Sequence, residues 1–524
     1  MNKKFLLSTM AACLLGTVPS FAAVEYWVSP SGDDANPGTE AEPFATPEMA
    51  MLSTNENEET IIHLEKDAEF MTGKLDFGSN KIVSIIGDNT SLLGDALPGS
   101  EGGQANRILM GREGTKMYVE GITFENGRQV EYYGGGAIFF DGSDLEIKNC
   151  RFINNESGSG GNAILARARG VVKVSDSYFE GNYSIGGDAR GGAIVQAGYI
   201  DLEEGFLGEL IVENCTFYKN HSMGQGTAIS LYDKSQNGDY SATQKCTIQN
   251  CTFVENTSNY GYMAAIDIDG SDNCETYIVN NTFYNEDGAL RLNLHFAPLY
   301  FVNNFAYVNK ATVLADDATD VNEPIQAYNN ILYGGERGVN ESIYDPCLTT
   351  EAAACNNTIG TTSQISMAAL GVNTSLKTDD PDSKVPYLAI LSQNSALVDA
   401  GLDSYAEIDG EVENFIPATD VRGKASNGKK DIGAFEYNGL NAGVETITTG
   451  DNSNIAFISN GSEIVVTNSN GDAMDVAVYS VDGKLLYNAR GENVTISKDN
   501  LAKGIVIVKA TDNNGSATKK MVVM

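Results

Sequence analysis

Histidine is nearly absent from this chain of 524 residues: His63, His221 and His295 stand far apart. No Cys-x-x-Cys pair occurs either, so a clustered His/Cys metal site is disfavoured. Basic residues are scarce, with Lys and Arg numbering 34 against 70 Asp and Glu, for a formal net charge of −36. That balance disfavours nucleic acid and anionic membrane as partners. It leaves a solvated acidic surface or calcium binding, yet no dense acidic cluster singles out a calcium site, and no cofactor is expected. Beyond the N-terminus nothing approaches the roughly 20 apolar residues of a membrane span. Helical segments of useful length are missing from the middle of the chain as well.

What is present is a repeat. A small-residue run ends in Ala and an aliphatic at Ala137-Ile138, Ala163-Ile164, Ala193-Ile194, Ala228-Ile229, Ala265-Ile266 and Ala289-Leu290. A second motif, Asn-small-x-aromatic, runs Asn149–Phe152, Asn214–Phe217, Asn250–Phe253 and Asn280–Phe283, with Asp176–Phe179 as a variant. Asn-Asn doublets carry it on at Asn303, Asn329 and Asn356. Copies lie roughly 23 to 38 residues apart, the period of a stacked repeat. The segments between are short and alternate apolar with polar, as in Leu145-Glu-Ile-Lys, which selects strands. The fold expected is all-β: a right-handed parallel β-helix over residues 23–437, with the Ile138 row inward because side chains alternate with period two. The Asn copies should form a hydrogen-bonded ladder at a corner. Cys150, Cys215 and Cys251 read as stacked small hydrophobes beside it.

The alternation of Gly-Gly-Ala with Phe-x-x-Asn (Phe152–Asn155, Phe179–Asn182, Phe217–Asn220, Phe253–Asn256) resembles the repeats of chlamydial polymorphic membrane proteins, which are surface β-helix adhesins. Phe124-Glu-Asn-Gly and Phe283-Tyr-Asn-Glu depart from the pattern, as outer coils would. Tyr26-Trp-Val-Ser through Pro37-Gly-Thr to Pro43-Phe44 resembles the entry segment of secreted pectate-lyase-like β-helix proteins, with Trp27 and Phe44 expected to cover the first coil.

Residues 1–22 read as a secretory signal: Lys3-Lys4, an apolar run, then Ser20-Phe-Ala22. Cys13 raises a weaker lipoprotein reading. Seven cysteines then remain, an odd number. Cys347 and Cys355 close a short loop and are the disulfide candidate, and Cys246 with Cys274 is an undecided second pair. Long excursions near Gly198–Gly208 and Asp233–Gln244 are either binding loops or tolerated insertions.

Residues 390–437 carry Ser395-Ala-Leu-Val-Asp-Ala-Gly401, Asp420-Val-Arg-Gly and Asp431-Ile-Gly-Ala-Phe-Glu-Tyr437. In order and wording these resemble the closing segment of choice-of-anchor Q β-helix proteins. Asp399, Asp420, Arg422, Asp431 and Glu436 read as a buried network holding a terminal cap rather than as catalytic groups. A linker, 438–454, precedes a small β-sandwich at 455–524. There Val476-Ala-Val-Tyr with Asp482-Gly-Lys-Leu-Leu, Leu501-Ala-Lys-Gly, and Lys519-Lys-Met-Val-Val resemble the C-terminal sorting domain of type IX secretion cargo. The resemblance implies that the secretion machinery is a partner and that the chain is exported to the cell surface or beyond.

Candidate chemistry sits on the outward rows of the Ala-Ile strands. With neighbouring strands roughly 4.8 Å apart, Tyr232, Asp267, Asp269, Arg291 and Asn293 should share one patch. As a ligand site it offers a ring face and groups that hydrogen-bond sugar hydroxyls or uronates. As a catalytic site, Asp267, Asp269 and Arg291 are the candidates, and a solvated ion pair is the plainest reading of all. The function expected is a non-catalytic, monomeric adhesin for a polysaccharide or host-surface component. The alternative is a polysaccharide lyase or glycoside hydrolase acting on an acidic polysaccharide.

Overall fold

Short strands broken by residues that tolerate left-handed backbone can close into coils, and coils in register bury one row while turning the next outward. The computed structural model describes residues 23–94, 107–130, 134–186, 191–197, 207–232, 243–259, 264–271, 274–295, 297–315, 325–335, 346–410, 412–426, 428–437, 455–459, 463–468, 470–480, 484–501, 504–512 and 515–523. The expected signal at 1–22, most of the two excursions, the linker at 438–454 and the Asp482-Gly483 turn lie outside them. The described residues up to Tyr437 form one compact unit, and those from 455 onward belong to a second.

The first unit is a parallel β-helix. A coil reads Asp144–Lys148, Arg151–Ile153, Glu156–Ser157 and Ile164–Ala166, and each strand pairs in parallel with its counterpart one coil on. Asn149, Asp176, Asn214, Asn250, Asn280, Asn303 and Asn329 turn the first corner with φ between 50° and 57°. Asn and Asp reach that region at low steric cost, which is why the motif recurs there. Their amides link along the stack, Asn250 Nδ2 to Asn214 Oδ1 at 3.2 Å and Asn303 Nδ2 to Asn280 Oδ1 at 3.1 Å.

The interior is built of columns. Leu109, Ile138, Ile164, Ile194, Ile229, Ile266, Leu290 and Val313 pair in sequence and are fully buried. Phe124, Phe152, Phe179, Phe217, Phe253 and Phe283 stack ring on ring, with centroids 4.7 to 5.1 Å apart. Cys150, Cys215 and Cys251 are buried free thiols, and the slot passes to Asn281, whose Oδ1 accepts from Cys251 N at 2.9 Å. Cys246 and Cys274 are also buried and form no disulfide with each other. A second amide ladder runs Asn155, Asn182, Asn220, Asn256, each Nδ2 donating to the next Oδ1 at 2.8 to 2.9 Å. It ends on Glu286, whose Oε1 accepts from Asn256 Nδ2 at 2.8 Å. The departure at Phe283–Glu286 is therefore the ladder's last rung and not an outer coil, since strands continue to Thr358–Thr361.

At the N-terminal end Phe44 is buried in the core, whereas Trp27 faces the other way and stacks on His63 at 4.7 Å. Strand alternation places Tyr26 and Val28 on the core side, so only Phe44 does the covering expected of the pair. A helix, Pro47–Leu52, completes the cover with Ala50 fully buried. Gly38 is required in the preceding turn: its φ is +76°, and a Cβ there would lie 2.3 Å from the Phe44 ring. At the other end Leu348 enters the core, beside the disulfide between Cys347 and Cys355, whose Cα atoms are 5.5 Å apart.

Residues 367–437 do not stack on the last coil as a terminal cap would. They run back along the outside of the solenoid as a strap. Asn250 Nδ2 donates to Thr419 O at 2.8 Å, Asn303 Nδ2 to Leu402 O at 3.0 Å, and the Thr216 hydroxyl to Pro386 O. Apolar side chains on the strap, among them Leu370, Tyr387, Ile432 and Phe435, pack on outward Tyr284, Tyr307 and Tyr333 of the coils.

The second unit holds two antiparallel sheets. One contains Ile455–Ser459, Glu463–Asn468 and Asn493–Ser497, the other Met474–Ser480, Leu485–Gly491, Gly504–Asp512 and Gly515–Val523. Ile464, Val466, Val476, Val478 and Val508 form their shared core.

Candidate functional site

The Ala-Ile strands put the expected patch in register. Ser230 pairs with Asp267 and Asp267 with Arg291, while Tyr232 pairs with Asp269 and Asp269 with Asn293. The side chains of Tyr232 and Asn293 lie outside the described residues. Asp267, Asp269 and Arg291 share the outward face but are not solvated: they are 0%, 0% and 1% exposed. The plain expectation of a surface ion pair is thus corrected. Arg291 Nη1 donates to Asp267 Oδ1 at 2.5 Å, and Ser230 Oγ to Asp267 Oδ2 at 3.1 Å.

The glycine run before each strand is one cause of this burial. Gly191 and Gly226 both hold φ of +70°, and their backbone crosses the outward row at close range. A Cβ on Gly226 would sit 3.0 Å from the Cβ atoms of Ser230 and Asp267, and one on Gly191 would sit 2.1 Å from Val195 Cγ2. Earlier in the stack the same row is apolar and also buried, as Met110, Phe139, Leu165 and Val195, with the Arg107 guanidinium 4.7 Å over the Phe139 ring.

The charged cluster of the closing segment is structural, and what it holds is the strap. Arg422 donates to Asp420 Oδ2 at 2.6 and 2.8 Å and to Glu436 O at 2.7 Å, with its guanidinium 3.9 Å over the Phe435 ring. Asp431 Oδ1 accepts from Asp399 N at 2.8 Å, and Glu436 pairs with Lys430 at 3.2 Å. Burial pushes Asp431 up to about 6 and Glu436 up to about 7, the latter against the pull of Lys430. Burial also raises Glu286 to about 8, against hydrogen bonds from Asn256 and Thr227.

Sequence reasoning missed a cleft of about 530 Å³ between the strap and the coil wall. Arg151, Tyr178, Glu180 and Tyr218 form its wall side, and Ser375 and Lys384 stand on the strap side. The signal was present: Tyr178, Tyr218, Tyr284, Tyr307 and Tyr333 each lie one residue from an inward position, so they belong to outward rows. Among the described residues no group of three or more His, Cys, Asp or Glu is placed to hold a metal ion. No helix among them is long and apolar enough to cross a membrane.

Two family models match. Residues 108–306 match the right handed beta helix region, and residues 454–524 match the secretion system C-terminal sorting domain. The chain is an exported β-helix protein carrying a type IX sorting tail. No curated protein sequence matches it. Among solved structures, this β-helix protein is similar to pectate lyase Pel9A, at 16% identity over 80% of this chain and 97% of that one, with a TM-score of 0.36. A rhamnogalacturonan lyase matches at 13% identity over 59% and 87%, with a TM-score of 0.34. A GH136 lacto-N-biosidase from Eubacterium ramulus matches at 12% identity over 64% and 67%, with a TM-score of 0.35. Likeness at this level carries no argument about activity.

The tail makes the β-helix protein a client of the secretion machinery and directs it to the cell surface or the extracellular space. Since the solenoid is a compact unit by itself, deleting residues 445–524 should leave it folded but held in the periplasm. Circular dichroism of the purified truncation and protease shaving of intact cells check the two halves. Undiminished surface display would remove the tail's sorting role.

Proposed function

We propose that this exported β-helix protein is a non-catalytic adhesin, binding a glycan or a host-surface component. The observation that counts against bond cleavage is the closed state of the acid–base candidate on the Ala-Ile face, and the same burial moves ligand binding away from that patch. Asp267 is fully buried, with one oxygen on Arg291 and the other on Ser230. A general base must reach the proton it abstracts within hydrogen-bond distance, and this carboxylate is already engaged on both oxygens. An extended solenoid wall suits recognition of a long or repetitive surface. We also read residues 390–437 as a closing segment of the choice-of-anchor Q kind, and the protein as a monomer.

The test is a glycan array probed with the mature protein, run beside digests of acidic polysaccharides monitored for unsaturated products and for new reducing ends. Binding without product is expected. Cleavage that disappears in a folded Asp267→Asn or Asp269→Asn variant would establish the lyase or hydrolase instead.

A further inference from the structure

The strap covers its wall incompletely. Two outward rows flank the phenylalanine column: one runs Arg151, Tyr178, Thr216, Thr252, Thr282, Phe305, and the other Ile153, Glu180, Tyr218, Val254, Tyr284, Tyr307. Over the later coils the segment leading into the strap and the strap itself seal them, with the Tyr307 hydroxyl donating to Thr362 O and Ile365 O at 3.2 Å each. Contact runs back as far as Thr216, whose hydroxyl meets Pro386 O. There the strap makes a hairpin, Lys377 N to Tyr387 O at 2.8 Å and Tyr387 N to Lys377 O at 3.3 Å, and the cleft of about 530 Å³ opens between it and the wall. That volume falls within the roughly 300 to 1,000 Å³ of small-molecule sites.

The lining specifies a ligand class. Three cations, Arg151, Lys377 and Lys384, face three carboxylates, Glu180, Glu255 and Asp380, so the cleft has no net charge of its own. Several of these groups are already matched. Lys377 pairs with Asp379 at 2.8 Å, Glu255 lies 3.6 Å from Lys219, and Asp380 accepts from the Tyr387 hydroxyl. Against a whole-chain charge of −36, a balanced cleft gives a polyanion nothing to overcome the surrounding field. Donors and acceptors of both kinds and the hydroxyls of Thr374, Ser375 and Thr378 remain, with the half-buried Tyr218 ring, over which Lys219 Nζ lies at 4.7 Å. Carboxylates accept from sugar hydroxyls, cationic groups donate to them, and the apolar face of a pyranose lies on an aromatic ring.

We infer that this cleft between strap and coil wall binds a neutral oligosaccharide. The inference rests on the glycan-binding reading and supplies its site. Arg151, whose guanidinium lies 4.6 Å over the Tyr178 ring, and Lys384 border the opening as hydrogen-bond donors. Tyr218, Val254 and Leu376 give the floor its apolar part.

The full mature chain is titrated calorimetrically with neutral cello-, xylo- and galacto-oligosaccharides, and with oligogalacturonate as the acidic comparator. Binding of a neutral series is expected, with affinity changing less than about twofold between low and high salt because no net charge is matched. Tyr218→Ala should weaken it by about tenfold or more. Ser375→Trp, at an exposed position on the strap, should do the same by filling the cleft while leaving the thermal unfolding midpoint unchanged. If Tyr218→Ala unfolds, Ser375→Trp decides alone. Neutral-sugar binding that survives Ser375→Trp overturns the cleft and leaves the adhesin reading standing. Binding confined to oligogalacturonate and lost in salt overturns the neutral-ligand assignment. No binding to these probes or to the array overturns both the cleft and the glycan-binding reading on which it rests.

Discussion

Arg291→Met is expected to destabilise the β-helix by about 3 to 5 kcal/mol, because it leaves Asp267 charged, buried and without its cation. The pair sits at 2.5 Å with both partners shut away from water. Two charges taken out of water together cost about as much in desolvation as their attraction returns. Removing one partner forfeits the attraction and keeps the desolvation. Asp267→Leu with Arg291→Met should therefore recover most of the loss, since no buried charge is left unpaired and apolar side chains resume, beyond Ser230, the row of Phe139, Leu165 and Val195. Denaturant titrations of the three proteins check this. A stable single variant that no longer binds the array ligand would instead make Arg291 a binding group.

Glu286→Gln is expected to do the opposite, stabilising the fold increasingly as pH rises. The folded carboxyl titrates at about 8, raised chiefly by burial from an ordinary 4.5. Below pH 4.5 both folded and unfolded chains hold the proton, so the group imposes no penalty there. Between 4.5 and 8 the unfolded chain releases it while the folded one retains it, and stability falls by about 1.4 kcal/mol per pH unit. Above 8 the loss is complete, about 5 kcal/mol in all. Glutamine keeps the acceptor that meets Asn256 and supplies a permanent donor toward Thr227. Unfolding midpoints from pH 4 to 9 should show a wild-type decline steeper than the variant's, with the clearest gap between pH 7 and 8. Asp431 and Glu436 are raised as well, to about 6 and about 7, so both proteins share a decline of the same sign below pH 7 that Glu286→Gln leaves in place. Equal slopes in both proteins would place the Glu286 carboxyl in the ordinary range.

The columns were legible because each recurs at a fixed place in the repeat. An aliphatic after every Ala can only be the inward row when side chains alternate, and the corner Asn announces itself by its spacing. The state of Asp267 was not legible. Its row is outward, as read, but its burial depends in part on glycine backbone from Gly226, which lies beside it only after folding. Trp27 shows the same limit: its apolar mass was plain, yet alternation sends it to His63 and away from the core. The charged wording of the closing segment correctly suggested a buried network. Its place along the flank required contacts between residues 216 and 386, or 250 and 419, that no local pattern encodes.

Those contacts alter how the molecule can come apart. A solenoid whose coils touch only their neighbours frays from its ends, losing one repeat at a time with little resistance. Here Thr216 is joined to Pro386 and Asn250 to Thr419, across 170 and 169 residues. The coils between them behave as a bundle inside a clasp, and a pull on the C-terminal end meets the clasp before any single coil. Under stretching, the region should yield in one large event and not as a staircase. During synthesis the same geometry delays completion, because Thr216 waits for residue 386 before its wall is closed.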